Sequence, residues 1–312
     1  MWPSSHGSGV SSKAKTGYIA KARRSVKADR FVKAGRQVKA GLFSKAMNRS
    51  GWAFESLAWQ LQAPFCRRSL AERQPLDLTI GITTFKDRFD NCLRPLLTKL
   101  SILFPNEQII VIANGHYLAD EQLDFMERFE AFCKRFRNVD PESFADPRGL
   151  SFLWNRIIAR ASSDNIFILN DDIMIKACFR RFIEESGIVR APVATINSSW
   201  SHFKISGDII DRVGLFDEGF TEIGGEDDDY IARMAMHGLA PDNFSTGSLK
   251  KASTGRSRPD AVNSYGKIMA EQQGGYSTVN TEYLRSKWKT SDEHFEGAVE
   301  VKGRSTRYWK LK

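Results

Sequence analysis

Two acidic clusters carry the chemistry this sequence can do. The first is Asn170-Asp171-Asp172, which ends the apolar run Ile166-Phe-Ile-Leu169. A run of that length and character suits a buried strand better than a helix. Open α/β sheets place ligands at the C-terminal ends of their strands. Adjacent carboxylates there repel unless a cation sits between them. Mg²⁺ or Mn²⁺ with oxygen ligands is the usual answer beside a diphosphate. A strand followed by a polar turn is the competing reading, because Asn and Asp favour turns. The second cluster is Gly224-Gly-Glu226-Asp-Asp-Asp229. The glycines permit a tight turn, and the acids then open a helix running to about His237. A helix macrodipole favours negative charge in its first turn, but four consecutive acids exceed what capping needs. Their mutual repulsion raises at least one pKa, which is what a general base requires.

The elements that must position these clusters are legible nearby. Leu78–Ile82 reads as a first strand, followed by the polar loop Thr83-Thr-Phe-Lys-Asp-Arg88. Apolar residues recur at helical spacing from Phe89 to Leu103. Ile109–Ala113 is a second buried strand, closed by the turn signal Asn114-Gly115. Helices are predicted at Leu123–Phe136 and Phe152–Ala161, and a further strand at Val193–Ile196. This alternation implies right-handed crossovers and an α/β fold with a mostly parallel sheet. No Gly-x-Gly-x-x-Gly follows the first strand and no P-loop signature occurs, which argues against a dinucleotide enzyme and a P-loop nucleotidase.

The net charge is +9, but residues 1–50 alone carry +11, so the remainder is slightly acidic. Lysines recur every six residues from Lys15 to Lys45. With few large apolar residues, this tail is predicted to be disordered in isolation. It reads either as an arm for acidic lipid or nucleic acid or as a solvated low-complexity tail. Residues 51–75 form an apolar linker helix with Trp52, Leu57, Trp59 and Leu61, and Pro64 stops the helical pattern. Residues 76–290 form the main domain, with a first half at 76–175 and a second at 176–290. Residues 291–312 are a basic aromatic tail. No run approaches the roughly 18 apolar residues of a membrane span. The four cysteines are scattered and fit a reducing cytoplasm. His202 and His237 each lack a partner at ligand spacing and read as core or surface histidines.

Three blocks resemble the GT-A glycosyltransferases of family 2. They are the first strand with its Thr-Thr-Phe-Lys-Asp-Arg loop, Arg148-Gly-Leu-Ser-Phe-Leu-Trp-Asn155 leading into Leu-Asn-Asp-Asp-Ile, and Val213-Gly-Leu-Phe-Asp-Glu-Gly-Phe with Glu226-Asp-Asp-Asp-Tyr-Ile-Ala-Arg233. A weaker fourth is Asn280-Thr-Glu-Tyr-Leu-Arg-Ser-Lys-Trp288. The resemblance covers roughly residues 76–290 and implies a GT-A, Rossmann-like fold. It also implies transfer of a sugar, with inversion, from a nucleotide-diphosphate sugar to an acceptor hydroxyl. By that resemblance Asp227 is the catalytic base and Glu226 orients substrate. Asp172 holds Mn²⁺ or Mg²⁺, and Asn170 and Asp171 lie nearer the ribose or sugar. Thr83, Thr84, Asp87 and Arg88 hold the nucleotide, with Asn114 and Asn155 also on the donor side, and Asp229 and Arg233 support the site. The sequence departs from the family twice. Ala113-Asn114-Gly115 replaces the frequent Asp-Asn-Gly, so UDP is not implied. No histidine stands in the stretch Pro241–Lys251 that follows the acidic helix, where the family often places one, which leaves Lys250 or Lys251 to neutralise part of the diphosphate.

The acceptor implied is a glycan or lipid-linked glycan, with the protein cytoplasmic and held at a membrane face by its basic arm. A nucleic-acid acceptor is a second reading. An inactive polyanion-binding scaffold is a third. The stretch Ser245–Gly275 reads as a lid over the donor or as a plain loop.

Overall fold

The computed structural model describes residues 69–116, 119–251 and 278–288, with isolated positions Trp59 and Ala63. The basic tail, most of the 51–75 segment, residues 252–277 and the tail at 291–312 lie outside the described residues. The chain divides into two compact units, residues 1–61 and 62–312. Of the first, only Trp59 is described, in a helix. The second unit holds the other described residues.

Its centre is a seven-stranded sheet in the order β3-β2-β1-β4-β7-β6-β8. The strands are β1 (Thr79–Thr84), β2 (Gln108–Ala113), β3 (Val139–Ser143), β4 (Asn165–Asn170), β6 (Val193–Ile196), β7 (Ser199–Ser206) and β8 (Asp242–Phe244). β1 pairs in parallel with β2 and β4, β2 with β3, and β6 with β8. Only β7 runs antiparallel, against β4 and β6. The expected α/β fold with a mostly parallel sheet is therefore the one that forms. β5 (Ile173–Ile175) and β9 (Leu249–Lys251) form a separate antiparallel ribbon.

The helices are α1 (Arg94–Leu103), α2 (Ala119–Cys133), α3 (Leu150–Arg160), α4 (Phe179–Glu185), α5 (Gly207–Val213), α6 (Glu226–Met236) and α7 (Thr278–Trp288). α1 is entered through a 3-10 turn at Lys86–Arg88 and a π-helical stretch at Phe89–Leu93, so the single helix expected there is divided. β1, β2 and β4 are buried almost throughout, as strands covered on both faces must be. One core cluster joins Ile110 and Ile112 of β2 and Ile166 and Ile168 of β4 to Leu153, Trp154 and Ile157 of α3, and to Phe203, Phe216 and Tyr230.

Among the strands that local pattern did not predict are β3 and β7. β3 contains Asp140-Pro141-Glu142 and lies at the sheet edge, where a proline removes no necessary hydrogen bond. β7 interleaves polar residues among its apolar ones, but His202 and Lys204 are both buried in it. The Lys204 ammonium donates to the Ala191 carbonyl at 2.6 Å. Burial brings the Lys204 pKa down to about 8. No helix among the described residues is long and apolar enough to cross a membrane.

Candidate active site

β1 and β4 are neighbours in register, Thr83 opposite Asn170, so their carboxyl ends present one continuous edge. Asp171 and Asp172 follow β4 at this edge and are buried, 1% and 2% exposed. Thr84 Oγ1 donates to Asp171 Oδ2 at 2.7 Å, and Arg88 Nη1 donates to Asp171 Oδ1 at 3.0 Å. The same Arg88 nitrogen lies 3.7 Å from Asp172 Oδ2. Burial pushes the Asp171 pKa up to about 6, a rise that Arg88 and the Thr84 hydroxyl restrain.

The β5–β9 ribbon adds a second cation. β5 begins directly after Asp172, and its Ile173 lies opposite Lys251 of β9. Lys251 Nζ thereby comes to 3.5 Å from Asp172 Oδ2. The Lys251 side chain is 67% exposed, so this pair is worth about 0–1 kcal/mol and yields readily to a ligand. Lys250 is opposite Met174, and the alternation of a strand sends its side chain to the other face of the ribbon.

Asp172 Oδ1 is buried and accepts no hydrogen bond. A carboxylate oxygen in that state is costly unless a ligand meets it, and a hard oxygen donor suits Mn²⁺ or Mg²⁺. Among the described residues no group of three or more His, Cys, Asp or Glu side chains could hold a metal ion. His202 is buried in β7, and burial lowers its pKa to about 4. His237 is exposed at the end of α6.

The second acidic cluster lies at the same carboxyl edge. Asn114, just past β2, joins the turn before α3: its Oδ1 accepts the Arg148 N–H at 2.8 Å and its Nδ2 donates to the Arg148 carbonyl at 2.9 Å. Leu150, the first residue of α3, donates its N–H to the Glu222 carbonyl at 3.2 Å. A Cβ on Gly149 would stand 2.3 Å from the Phe220 carbonyl oxygen, so only glycine lets the 220–224 loop approach. Gly224 and Gly225, at φ 110° and 89°, then turn the chain into α6.

Within α6, Glu226 is buried and Asp227 half-buried. Glu226 Oε2 accepts the Gly224 N–H at 2.6 Å. Burial, reinforced by the neighbouring Asp227 carboxylate, raises the Glu226 pKa to about 8. The raised carboxylate expected here from mutual repulsion is Glu226, and burial is the larger cause of its rise. Stability should respond accordingly. Below the ordinary value near 4.5 Glu226 is protonated whether folded or unfolded. As pH rises towards about 8, the unfolded chain gains ionisation that the folded chain resists, and stability falls. Glu226→Gln removes this penalty. Its melting temperature should exceed that of the parent at pH 8–9 and converge on it near pH 4. A difference independent of pH would contradict the burial account.

The structure commits several expected donor residues to the fold itself. Besides its Arg148 bonds, Asn114 Oδ1 accepts the Gly115 N–H at 2.9 Å. Asn155 exchanges bonds with the Phe216 backbone at 2.8 and 3.0 Å and donates to Glu218 Oε1 at 2.8 Å. Arg233 donates to Asp229 at 2.9 Å and to the Val213 carbonyl at 2.8 Å. These three brace the loops that surround the site. Thr83 is buried in β1, Asn170 is half-buried at the end of β4, and Asp87 is exposed on the loop after β1. Of the two lysines that the sequence offered for the diphosphate, Lys251 is the one set against Asp172, a pairing that residue type did not reveal. That α7 partners the acidic turn was not evident from sequence, although Asn280 to Trp288 was the available signal.

No protein-family model and no curated protein matches this sequence. Among solved structures, one similar to it is the mannosyltransferase PcManGT from Pyrobaculum calidifontis, in complex with GDP-Man and Mn²⁺. It is 12% identical, with a TM-score of 0.44, over 78% of this chain and 80% of that one. Another is S. aureus TarS 1–349, 11% identical with a TM-score of 0.41, over 57% of this chain and 61% of that one. The same TarS fragment in complex with UDP is 12% identical, with a TM-score of 0.40. The chain thus spans about three fifths of the TarS fragment's length. Likeness at this level says nothing of this chain's chemistry, which rests on its own side chains.

Proposed function

We propose that this protein is a nucleotide-sugar-dependent glycosyltransferase of the GT-A type. The observation that carries the reading is the buried pair Asp171–Asp172 at the carboxyl edge of β1 and β4. One Asp172 oxygen there is left without a partner, and Arg88 and Lys251 flank the pair. Arg88 and Thr84 hold Asp171 ready for the sugar or ribose, and Lys251 is free to turn from Asp172 to a diphosphate. Asp172 would hold Mn²⁺ or Mg²⁺, which when bound supplies charge stabilisation for a departing nucleoside diphosphate.

Asp227 takes the proton of the acceptor hydroxyl onto a carboxylate oxygen. The hydroxyl oxygen attacks the anomeric carbon, the bond from that carbon to the diphosphate oxygen breaks, and its electron pair leaves with the nucleoside diphosphate. In-line displacement inverts the anomeric centre. Glu226, protonated at neutral pH by its burial, can donate a hydrogen bond to the acceptor and orient it. The acceptor in this reading is a glycan or lipid-linked glycan. The basic tail is then the segment suited to an acidic membrane face on the cytoplasmic side.

The test is thermal unfolding against a panel of nucleoside diphosphates and their sugars, with and without Mn²⁺. A ligand at about 100 times its Kd adds roughly 2.7 kcal/mol of stability. A metal-dependent shift with one nucleotide sugar is expected, and it should disappear in Asp172→Asn. No shift with any member of the panel would leave a polyanion-binding scaffold as the better account.

A further inference from the structure

Helix α7, the last among the described residues, makes polar contacts with the loop that leads into α6 and with the first turn of α6. Asn280, fully buried, accepts the Glu222 N–H at 3.2 Å and donates to the Gly224 carbonyl at 2.9 Å. Tyr283 Oη donates to Asp217 Oδ2 at 3.0 Å. Lys287 Nζ donates to Asp217 Oδ2 at 2.5 Å and lies 2.7 Å from Asp229 Oδ1. Trp288 Nε1 donates to that same Asp229 oxygen at 3.0 Å. Below these bonds Phe220, Ala232, Leu284 and Trp288 form a small buried cluster with Tyr283 against it. The fit leaves no slack, since a Cβ on Gly219 would stand 2.3 Å from the Tyr283 oxygen.

Asp217 precedes the acidic turn and Asp229 is its last acid, and Lys287 is the group that joins them. Asp229 is fully buried, and its other oxygen is taken by Arg233 at 2.9 Å. The first turn of α6 is thus held from one side by Lys287 and Trp288, while Asn280 fixes the backbone on which Glu226 and Asp227 are mounted.

The geometry points to α7 as a latch that sets the acidic turn, with Lys287 as its positioning residue acting through Asp217 and Asp229. The structural half of this inference stands alone. Its consequence for turnover rests on the glycosyltransferase reading. A charge-assisted bond is worth about ten- to a hundredfold in a local opening equilibrium. Removing the ammonium should therefore loosen residues 217–231 by about that factor while the sheet stays closed. The cluster of Thr84, Arg88 and Asp171 shares none of these contacts, so donor binding should not change.

The experiment is amide hydrogen exchange on the full chain, alongside steady-state kinetics, for Lys287→Met and Lys287→Arg. In Lys287→Met, amides of residues 217–231 should exchange about tenfold faster or more, with β1, β2 and β4 unchanged. With an identified donor, kcat should fall about tenfold or more at unaltered donor KM. Lys287→Arg should restore both protection and kcat. Unchanged exchange across 217–231 would overturn the latch, as would an equal loss of protection throughout the sheet. Local loosening in a protein that turns over no donor would uphold the latch and count against the glycosyltransferase reading alone. Should Lys287→Met fail to fold, Tyr283→Phe removes a single bond to Asp217 and must loosen the same residues more mildly; no local change there would overturn the inference.

Discussion

Asp227→Asn is expected to lower kcat by about 10²–10⁴-fold, the usual contribution of a positioned general base, while the fold is kept. The substitution is nearly isosteric. Asp227 Oδ1 accepts the Asp228 N–H at 3.1 Å, and an amide oxygen can accept the same bond. One negative charge is lost from the first turn of α6, which costs about 0.3–1 kcal/mol against the helix dipole. Relief of repulsion from the adjacent Asp228 offsets part of that. Circular dichroism and the melting curve should therefore match the parent, and donor affinity should hold because Asp171 and Asp172 are untouched. A kcat within threefold of the parent would remove Asp227 from the base role and with it the proposed proton path.

Glu107→Ala is expected to cost about 3–5 kcal/mol of stability, the loss typical when one partner of a buried ion pair is removed. Glu107 and Arg180 are 2% and 3% exposed, and they meet at 2.9 Å. Glu107 Oε1 also accepts the Leu76 N–H at 2.9 Å. Arg180 donates to the Leu103 carbonyl at 2.9 Å and to Glu184 at 2.8 Å, and lies 5.5 Å over the Phe104 ring. Alanine would leave the buried guanidinium with one carboxylate, Glu184, in place of two, and would strand the Leu76 backbone N–H. Domains of this size are stable by about 5–15 kcal/mol, so the urea midpoint should fall steeply. Replacing both partners, as Glu107→Leu with Arg180→Met, should cost less than Glu107→Ala alone, because no charge is then stranded. A loss under about 1 kcal/mol for Glu107→Ala would mean that solvent reaches the pair.

Much of the framework was readable from local pattern alone. The runs at Leu78–Ile82, Ile109–Ala113 and Ile166–Leu169 are the three adjacent parallel strands β1, β2 and β4, within a residue or two at their ends. Asp171 and Asp172 do stand at a strand end, and Glu226 to Asp229 do open a helix after two glycines of positive φ. These features depend on neighbours a few positions apart along the chain. Apolar run length, turn chemistry and charge spacing record such relations directly.

What each polar side chain touches was decided only by the tertiary structure. Asn114, Asn155 and Arg233 have types that suit a donor site, but packing turns them onto Arg148, Phe216 and Asp229. Lys250 and Lys251 are indistinguishable by type. The β5–β9 register, a pairing across some seventy-five residues of chain, aims Lys251 at Asp172. β7 stayed hidden because burial of His202 and Lys204 breaks the apolar alternation from which a strand is read. The hold of α7 on the acidic turn likewise needs Lys287 to meet acids far away in sequence. Residue type and spacing encode local conformation, whereas the partner of a charged group depends on which distant segments the fold brings beside it.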